Sequence, residues 1–476
     1  MEFDLVISGA RLIDGSGAPA RTADVGLLGG RIAAVGDLSQ ASAEERLTAV
    51  GRALAPGFID SHTHDDGYLL VHPDMTPKVS QGVTTVVTGN CGISLAPLVP
   101  SQPPQPLDLL GPSDLFRFAS FAAWLDALRV AAPNTNVVPL IGHSTLRVGH
   151  MVRLNRAADE AEIAAMRAQV AEAMRAGAFG LSTGTFYPPA EHASEAEIVA
   201  VSQPLRGHGI YATHLRDETD AIVPAMQEAF RVGRALGCRV VLSHHKVGGK
   251  ANHGRSVETL ALIDEAAASQ PVCLDCHPYP ATSTMLRLDR IRQSSRTLVT
   301  WSKSYPAAAG RDFGSLMVEF GCDDAETLRR LRPAGGIYFL MDEGDVRRIA
   351  RHRLCMFGSD GLPFDPHPHP RQWGTFPRVL GRLVREEGCL SLEAAVHKMT
   401  GLAAAQYGLA ERGLIVPGHH ADLVLFDPTT VADRATFEQP VQTSLGIELV
   451  LVNGRPVWRD GRAVASRSGQ VLRPGG

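Results

Sequence analysis

Short apolar runs recur along the middle of the chain, separated by stretches whose apolar residues return every three to four positions. Val83-Thr-Thr-Val-Val-Thr88 is a β-branched run, and Gly177-Ala-Phe-Gly-Leu-Ser-Thr-Gly184 has the composition of a buried strand. So do Gly209-Ile-Tyr-Ala-Thr-His214, Cys238-Arg-Val-Val-Leu-Ser-His244 and Arg353-Leu-Cys-Met-Phe-Gly-Ser-Asp360. Between the strands, Ala157–Arg175 places Ile163, Met166, Val170 and Met174 at helical spacing. Asp217–Leu236 is predicted helical, with a kink at Pro224. Glu393–Tyr407 is predicted as one further helix. Alternating strands and helices predict a parallel sheet or barrel.

The two ends have a different texture. Asp4–Ala10, Ala23–Gly30 and Arg31–Gly36 are short segments separated by turn residues, which predicts hairpins. Ala421–Asp427 and Glu448–Gly454 repeat that texture, and Asn453-Gly454 is a strong hairpin turn signal. Residues 1–55 and 412–476 are therefore expected to pair into one small β-sandwich beside a barrel spanning residues 56–411. Residues 281–342 separate two predicted strands by far more than an ordinary connection. They are arginine-rich and irregular, and are expected to form an insertion over the barrel rim, as a lid or specificity subdomain.

The chemistry lies at the ends of the apolar runs. Phe58-Ile-Asp-Ser-His62-Thr-His64 closes on two histidines, the next run on Cys91, and later ones on His214, on His244-His245 and on Asp360. Alternate residues of a strand face one side, so His62 and His64 are expected to project together. Taken singly, each residue has an ordinary structural use: a bonded buried histidine, a small apolar cysteine, a capping aspartate. Jointly they match a barrel whose functional groups sit at the C-terminal ends of its strands. Imidazole with thiolate suits zinc. A metal there lowers the pKa of a water to about 7 and polarises a carbonyl, while Asp360 can carry the proton to a leaving amine. That is hydrolysis of an amide or ester. Arg371, shortly downstream, is either a surface residue or a fork for a substrate carboxylate.

Composition narrows the class. The formal net charge of −4 leaves no basic footprint for nucleic acid, and no apolar stretch reaches membrane-span length. Seven scattered cysteines argue against a disulfide framework. With no signal-peptide pattern at the amino end, a cytoplasmic location is expected. Cys273 and Cys276 lie three apart on a predicted strand, face opposite sides, and are not expected to bind metal.

Pro56-Gly-Phe-Ile-Asp-Ser-His-Thr-His-Asp-Asp66 resembles the opening signature of the amidohydrolase superfamily. Gly89-Asn-Cys-Gly92, Thr213-His-Leu-Arg-Asp-Glu218, Ser243-His-His-Lys246 and Gly358-Ser-Asp-Gly361 narrow the resemblance to the N-acyl-D-amino-acid deacylases, close to the N-acyl-D-glutamate deacylases. The resemblance implies a (β/α)8 barrel of the TIM type, with a small β-sandwich and a lid insertion. It also implies Zn2+ held tightly by Cys91, His214 and His244, with a second, weaker position near His62, His64 and Asp360. His245 then stands behind the ligands. Leu181-Ser-Thr-Gly184 lacks the lysine that dihydroorotase-like members use to bridge two metals. Arg371 maps onto the arginine that reads the substrate carboxylate, and Ser283 onto a family serine. His277 departs from the family's tyrosine. Phe186, Tyr338 and Met341 are candidates for an apolar side-chain pocket, and Lys246, with Arg287 or Arg290, for an acidic one; the apolar or broad preference is expected. The implied substrate is an N-acyl-D-amino acid. The alternatives are an N-acyl-D-glutamate-selective deacylase, a cyclic amidase, a D-dipeptidase, an aminosugar deacetylase, or a silent scaffold. The sequence carries no sign of oligomeric state.

Overall fold

The computed structural model describes residues 2–475. Eight parallel strands form the central sheet: β1 (Phe58–Asp60), β2 (Val83–Thr88), β3 (Asn136–Gly142), β4 (Gly180–Gly184), β5 (Ile210–His214), β6 (Arg239–Leu242), β7 (Val272–Cys276) and β8 (Cys355–Phe357). They pair in sequence order from β1 to β7, with β8 beside β7. β2 is buried at every position, which is why it reads as an unbroken β-branched run. Helices cover the outside. Glu160–Ala176 starts at a capping box made by Asp159 and Glu162, and it buries Met166, Val170 and Ala173.

Two helix expectations need correction. The helix after β5 begins at Ile222, not at Asp217. Pro224 thus falls in the first turn, where a missing N–H breaks no internal bond and no kink is required. Glu393–Tyr407 is two helices, Leu392–Met399 and Gly401–Tyr407, parted by the non-helical Thr400 (φ −135°, ψ −88°).

Both ends of the chain build a second, nine-stranded sheet. Its joint is the antiparallel pairing of Leu423–Phe426 with Ala53–Pro56. Asn453 and Gly454 both take positive φ in the hairpin between Ile447–Val452 and Arg455–Arg459. This sheet encloses its own core, including Ile7, Leu12, Val25, Leu54, Leu423 and Leu451, as a β-sandwich beside the barrel.

The long stretch after β7 is ordered, contrary to its irregular sequence. Ala281–Met285, Ala334–Phe339 and Arg296–Ser302 form a three-stranded antiparallel sheet. Helices Leu288–Gln293, Phe313–Phe320 and Asp324–Leu331 accompany it, over a core that includes Leu286, Val299, Phe313, Leu316, Leu328 and Tyr338. Its strands are short and interrupted by Gly335-Gly336, so their alternation is weak in the sequence.

The barrel closes between β1 and β8 mainly through side chains. Past the strand ends, Thr63 bridges Gly361 and the Asp360 N–H donates to His62 O at 2.8 Å. Below them the fully buried Lys78 ammonium reaches Asp60 Oδ2 at 2.9 Å, Asp65 Oδ2 at 3.3 Å and Ser359 Oγ at 2.8 Å. Asp60 Oδ1 in turn accepts the Ser359 N–H at 2.7 Å. Removing one member of a buried ionic group strands the others. Lys78→Met is expected to cost about 3–5 kcal/mol of stability and to lower the thermal midpoint; an unchanged midpoint would show that Lys78 does not hold the seam.

Candidate metal centre

The candidate ligands converge on one rim, carried by the turns that follow the strands. His62 and His64 lie just beyond β1, not on it, yet still face the same centre, with ring centroids 5.5 Å apart. Cys91 sits three residues past β2, in a tight turn. Gly89 (φ +73°) there lies so close to Leu140 O that a Cβ would come within 1.9 Å of it. Gly92 (φ +75°) is crowded in the same way by Gly184 N. His214 ends β5, and His244 follows β6. Cys91 (φ +53°), His244 (φ +36°) and Asp360 (φ +49°) all take left-handed backbone, which non-glycine residues rarely adopt and which clusters at functional sites.

The geometry fits a metal. Cys91 Sγ lies 3.1 Å from His244 Nε2, 3.3 Å from His62 Nε2 and 3.7 Å from His214 Nδ1. Sulfur and nitrogen bound tetrahedrally to one zinc would be about 3.5 Å apart. Ligand atoms of His62, Cys91, His244 and Asp360 all fall within 4.8 Å of one another. His214, Glu218 and His244 form a second such group. His64 Nε2 approaches Asp360 Oδ1 at 3.2 Å, and His62 Nε2 lies 3.6 Å from the same atom. Burial pushes the His62 pKa down to about 3, so this imidazole is neutral and has a lone pair to give. Burial, with Asp360 nearby, raises the Cys91 thiol well above its ordinary value. A cation is what such a thiol needs in order to ionise.

A layer of carboxylates behind the ligands escaped the sequence reading. Glu218 Oε1 lies 3.2 Å from His244 Nδ1, and Oε2 lies 3.6 Å from His214 Nε2. Asp275 Oδ1 accepts the backbone N–H of His244 at 2.8 Å, fixing the turn that carries that imidazole, and stands 3.4 Å from His62 Nδ1. Carboxylates so placed orient metal-binding imidazoles. Glu218 stands four residues after His214, a spacing that could have marked it. Asp275 lay between the two cysteines set aside as a strand. Cys276 does face away from the rim, with its sulfur 3.4 Å from Cys355 Sγ.

The remaining candidates divide. Arg371 opens helix Arg371–Arg378 and is fully buried. Its Nη1 forms an ion pair with Asp360 Oδ2 at 2.8 Å and donates to His277 Nε2 at 3.1 Å and Thr282 Oγ1 at 3.2 Å, and Nη2 donates to Ser283 O at 3.1 Å. His277 and Ser283 are thus brought to Arg371. Burial raises the Asp360 pKa, but the Arg371 guanidinium together with His244, His64 and His62 outweighs it, and the carboxyl is held well below its usual range. Lys246 is not free for a ligand, because its ammonium lies 2.6 Å from Glu218 Oε1. Tyr338 is corrected to the insertion core, where its hydroxyl donates to Met285 O at 2.8 Å and accepts the Arg287 N–H at 2.9 Å. Met341 lines a small cavity with His244, Lys246 and His277. Phe186 stacks on His214 at 5.2 Å, and the Arg287 and Arg290 guanidiniums stand 4.3 and 4.4 Å from its ring centre. His245 turns away and meets Thr259 Oγ1 at 3.0 Å.

Known proteins are similar to this chain over nearly their whole length. An N-acyl-D-aspartate deacylase from Alcaligenes xylosoxydans xylosoxydans is 66% identical over 476 residues, covering 100% of this chain and 96% of the relative. A solved D-aminoacylase, described as having a binuclear metal centre with one-metal activation and second-metal attenuation, superposes with a TM-score of 0.98 at 57% identity. That match covers 99% of this chain and 100% of the other. An N-acyl-D-glutamate deacylase from Bordetella bronchiseptica, complexed with zinc and a phosphonate inhibitor, has a TM-score of 0.96 at 45% identity, with 99% and 100% covered. The Amidohydrolase family model matches residues 48–458, and with that match and these relatives the chain belongs to the amidohydrolase family, beside the D-aminoacylases.

Proposed function

We infer that the protein hydrolyses the amide bond of N-acyl-D-amino acids, giving a carboxylate and a free D-amino acid, with zinc as its cofactor. Acidic side chains, aspartate first, are its preferred substrates. The observation that carries the reading is the buried Arg371–Asp360 contact beside the Cys91 cluster. It sets a carboxylate-reading fork next to a carboxylate that can move a proton. Cys91, His214 and His244 would hold the tight zinc, and His62, His64 and Asp360 a weaker second position. When bound, the metal supplies a Lewis acid that activates water and polarises the acyl carbonyl.

The chain's own residues do the rest. Arg371 pairs with the substrate's α-carboxylate through its guanidinium fork. In doing so it shares its charge between that carboxylate and Asp360, so Asp360 becomes a stronger base as substrate binds. Asp360 accepts the proton of the attacking water and returns it to the leaving nitrogen. Glu218 keeps the His244 imidazole oriented, and Asp275 fixes the backbone of the turn that carries it. The nearly complete burial of these side chains keeps bulk water from the reacting groups.

The expected apolar preference gives way to an acidic one. Tyr338 is packed in the insertion core, and Phe186 lies under two guanidiniums. Arg290 is 5% exposed and its Nη2 is 4.0 Å from Glu218 Oε2, which places a positive charge beside the ligand cluster. The 66% identity to an N-acyl-D-aspartate deacylase supports the same reading.

A kinetic profile of the zinc-loaded protein tests this. N-Acetyl-D-aspartate is expected to have the highest kcat/KM, above the D-glutamate, D-leucine and D-phenylalanine analogues, with the L enantiomers inert. A D-leucine value equal to that for D-aspartate would remove the acidic preference, and turnover of none of the D substrates would remove the deacylase reading.

Arg371→Lys tests carboxylate recognition, because an ammonium cannot reproduce the fork. Losing a paired charge costs about 2–5 kcal/mol in transition-state binding, or roughly 30-fold to several thousand-fold in kcat/KM. An unchanged kcat/KM would exclude this role for Arg371.

A further inference from the structure

A cavity of about 690 Å³ opens between the insertion and the segment that follows β2, away from the metal ligands. Small-molecule sites span roughly 300–1,000 Å³. Trp301 and Lys303 border it from the insertion, Leu109 and Asp108 from the other wall, and Phe364 and Asp365 from the segment after β8. Asp365 is only 8% exposed, and its Oδ2 has no hydrogen-bond partner. Asp108 stands on the facing wall with the Gln105 amide beside it. Neither aspartate has a cation within 4.0 Å among the described residues, whereas Asp60, Asp65, Glu218 and Asp360 each meet a lysine or arginine.

Two carboxylates, Asp365 buried and Asp108 half-buried, therefore share the cavity wall with one exposed lysine. Burial raises Asp108 to about 6 and Asp365 to about 7, the mark of carboxylates with too little compensation. An ionised carboxylate removed from water is costly unless a cation accompanies it. The apolar part of the lining is suited to a flat or aliphatic body. Trp301 and Phe364 offer ring faces, and a cation near such a face gains further attraction.

We propose that this cavity is a binding site for a small organic ammonium compound, its charged nitrogen between Asp108 and Asp365 and its apolar body against Leu109, Trp301 and Phe364. The site is separate from the one that holds zinc, and its existence does not rest on the deacylase reading.

Calorimetric titration of the zinc-loaded protein with benzylamine tests the proposal, with benzyl alcohol and benzoate as the neutral and anionic counterparts. Saturable binding of benzylamine is expected, with neither counterpart binding. Asp365→Asn and Asp108→Asn should each weaken it at least tenfold. Asp108→Asn alters a half-buried residue and guards against a folding defect at Asp365. Three results would overturn the proposal: no saturable binding of benzylamine, equal binding of benzyl alcohol, or benzylamine binding unchanged by both substitutions.

Discussion

The contact between Arg371 and Asp360 joins the parts of this molecule that the chemistry needs together. Arg371 is anchored to the insertion through Thr282 and Ser283 and to β7 through His277, while Asp360 sits in the turn after β8, against His62 and His64. A pair buried to this depth is sustained only by good geometry and further hydrogen bonds. Lys78 forms a second buried ionic group at the same seam, one ammonium between two carboxylates. The turns after β1 and β8 that carry His62, His64 and Asp360 are tied together there.

The same logic shapes the rest of the centre. Cys91, His244 and Asp360 hold strained backbone, which persists only where surrounding structure over-determines it. Glycines that no larger residue could replace surround Cys91, Glu218 braces the His244 imidazole, and Asp275 holds the His244 backbone. The candidate ligand atoms are consequently held within a few ångströms of one another. Such preorganisation is how a site can stabilise charge without reorganising during the reaction.

Much of this was legible in the sequence because it is local. A buried parallel strand shows as an apolar run, and a functional group at its end shows as the residue where the run stops. His62, Cys91, His214 and Asp360 could be located in that way. What escaped depends on distant segments meeting. Lys78 reads as an ordinary surface lysine until Asp60, Asp65 and Ser359 surround it. Asp275 gave no signal apart from His244 and His62. Lys246 offered a free charge in the sequence and spends it on Glu218. The insertion was hidden for a related reason, since its short strands acquire their alternation only when paired across Gly335-Gly336. Tyr338 was misread because aromatic residues line cores and pockets alike.

In the proposed mechanism Asp360 moves the proton, and Arg371 holds it ionised until substrate arrives. Asp360→Asn retains shape and a possible metal contact but cannot carry a proton. Zinc content and single-substrate kinetics of this variant, measured side by side, test the claim most directly. The expected result is one tightly held zinc per chain with kcat reduced by roughly 10³–10⁴-fold or more, since the residue acts as base and then as acid. A kcat near that of the unaltered protein, or loss of the tight zinc, would contradict it.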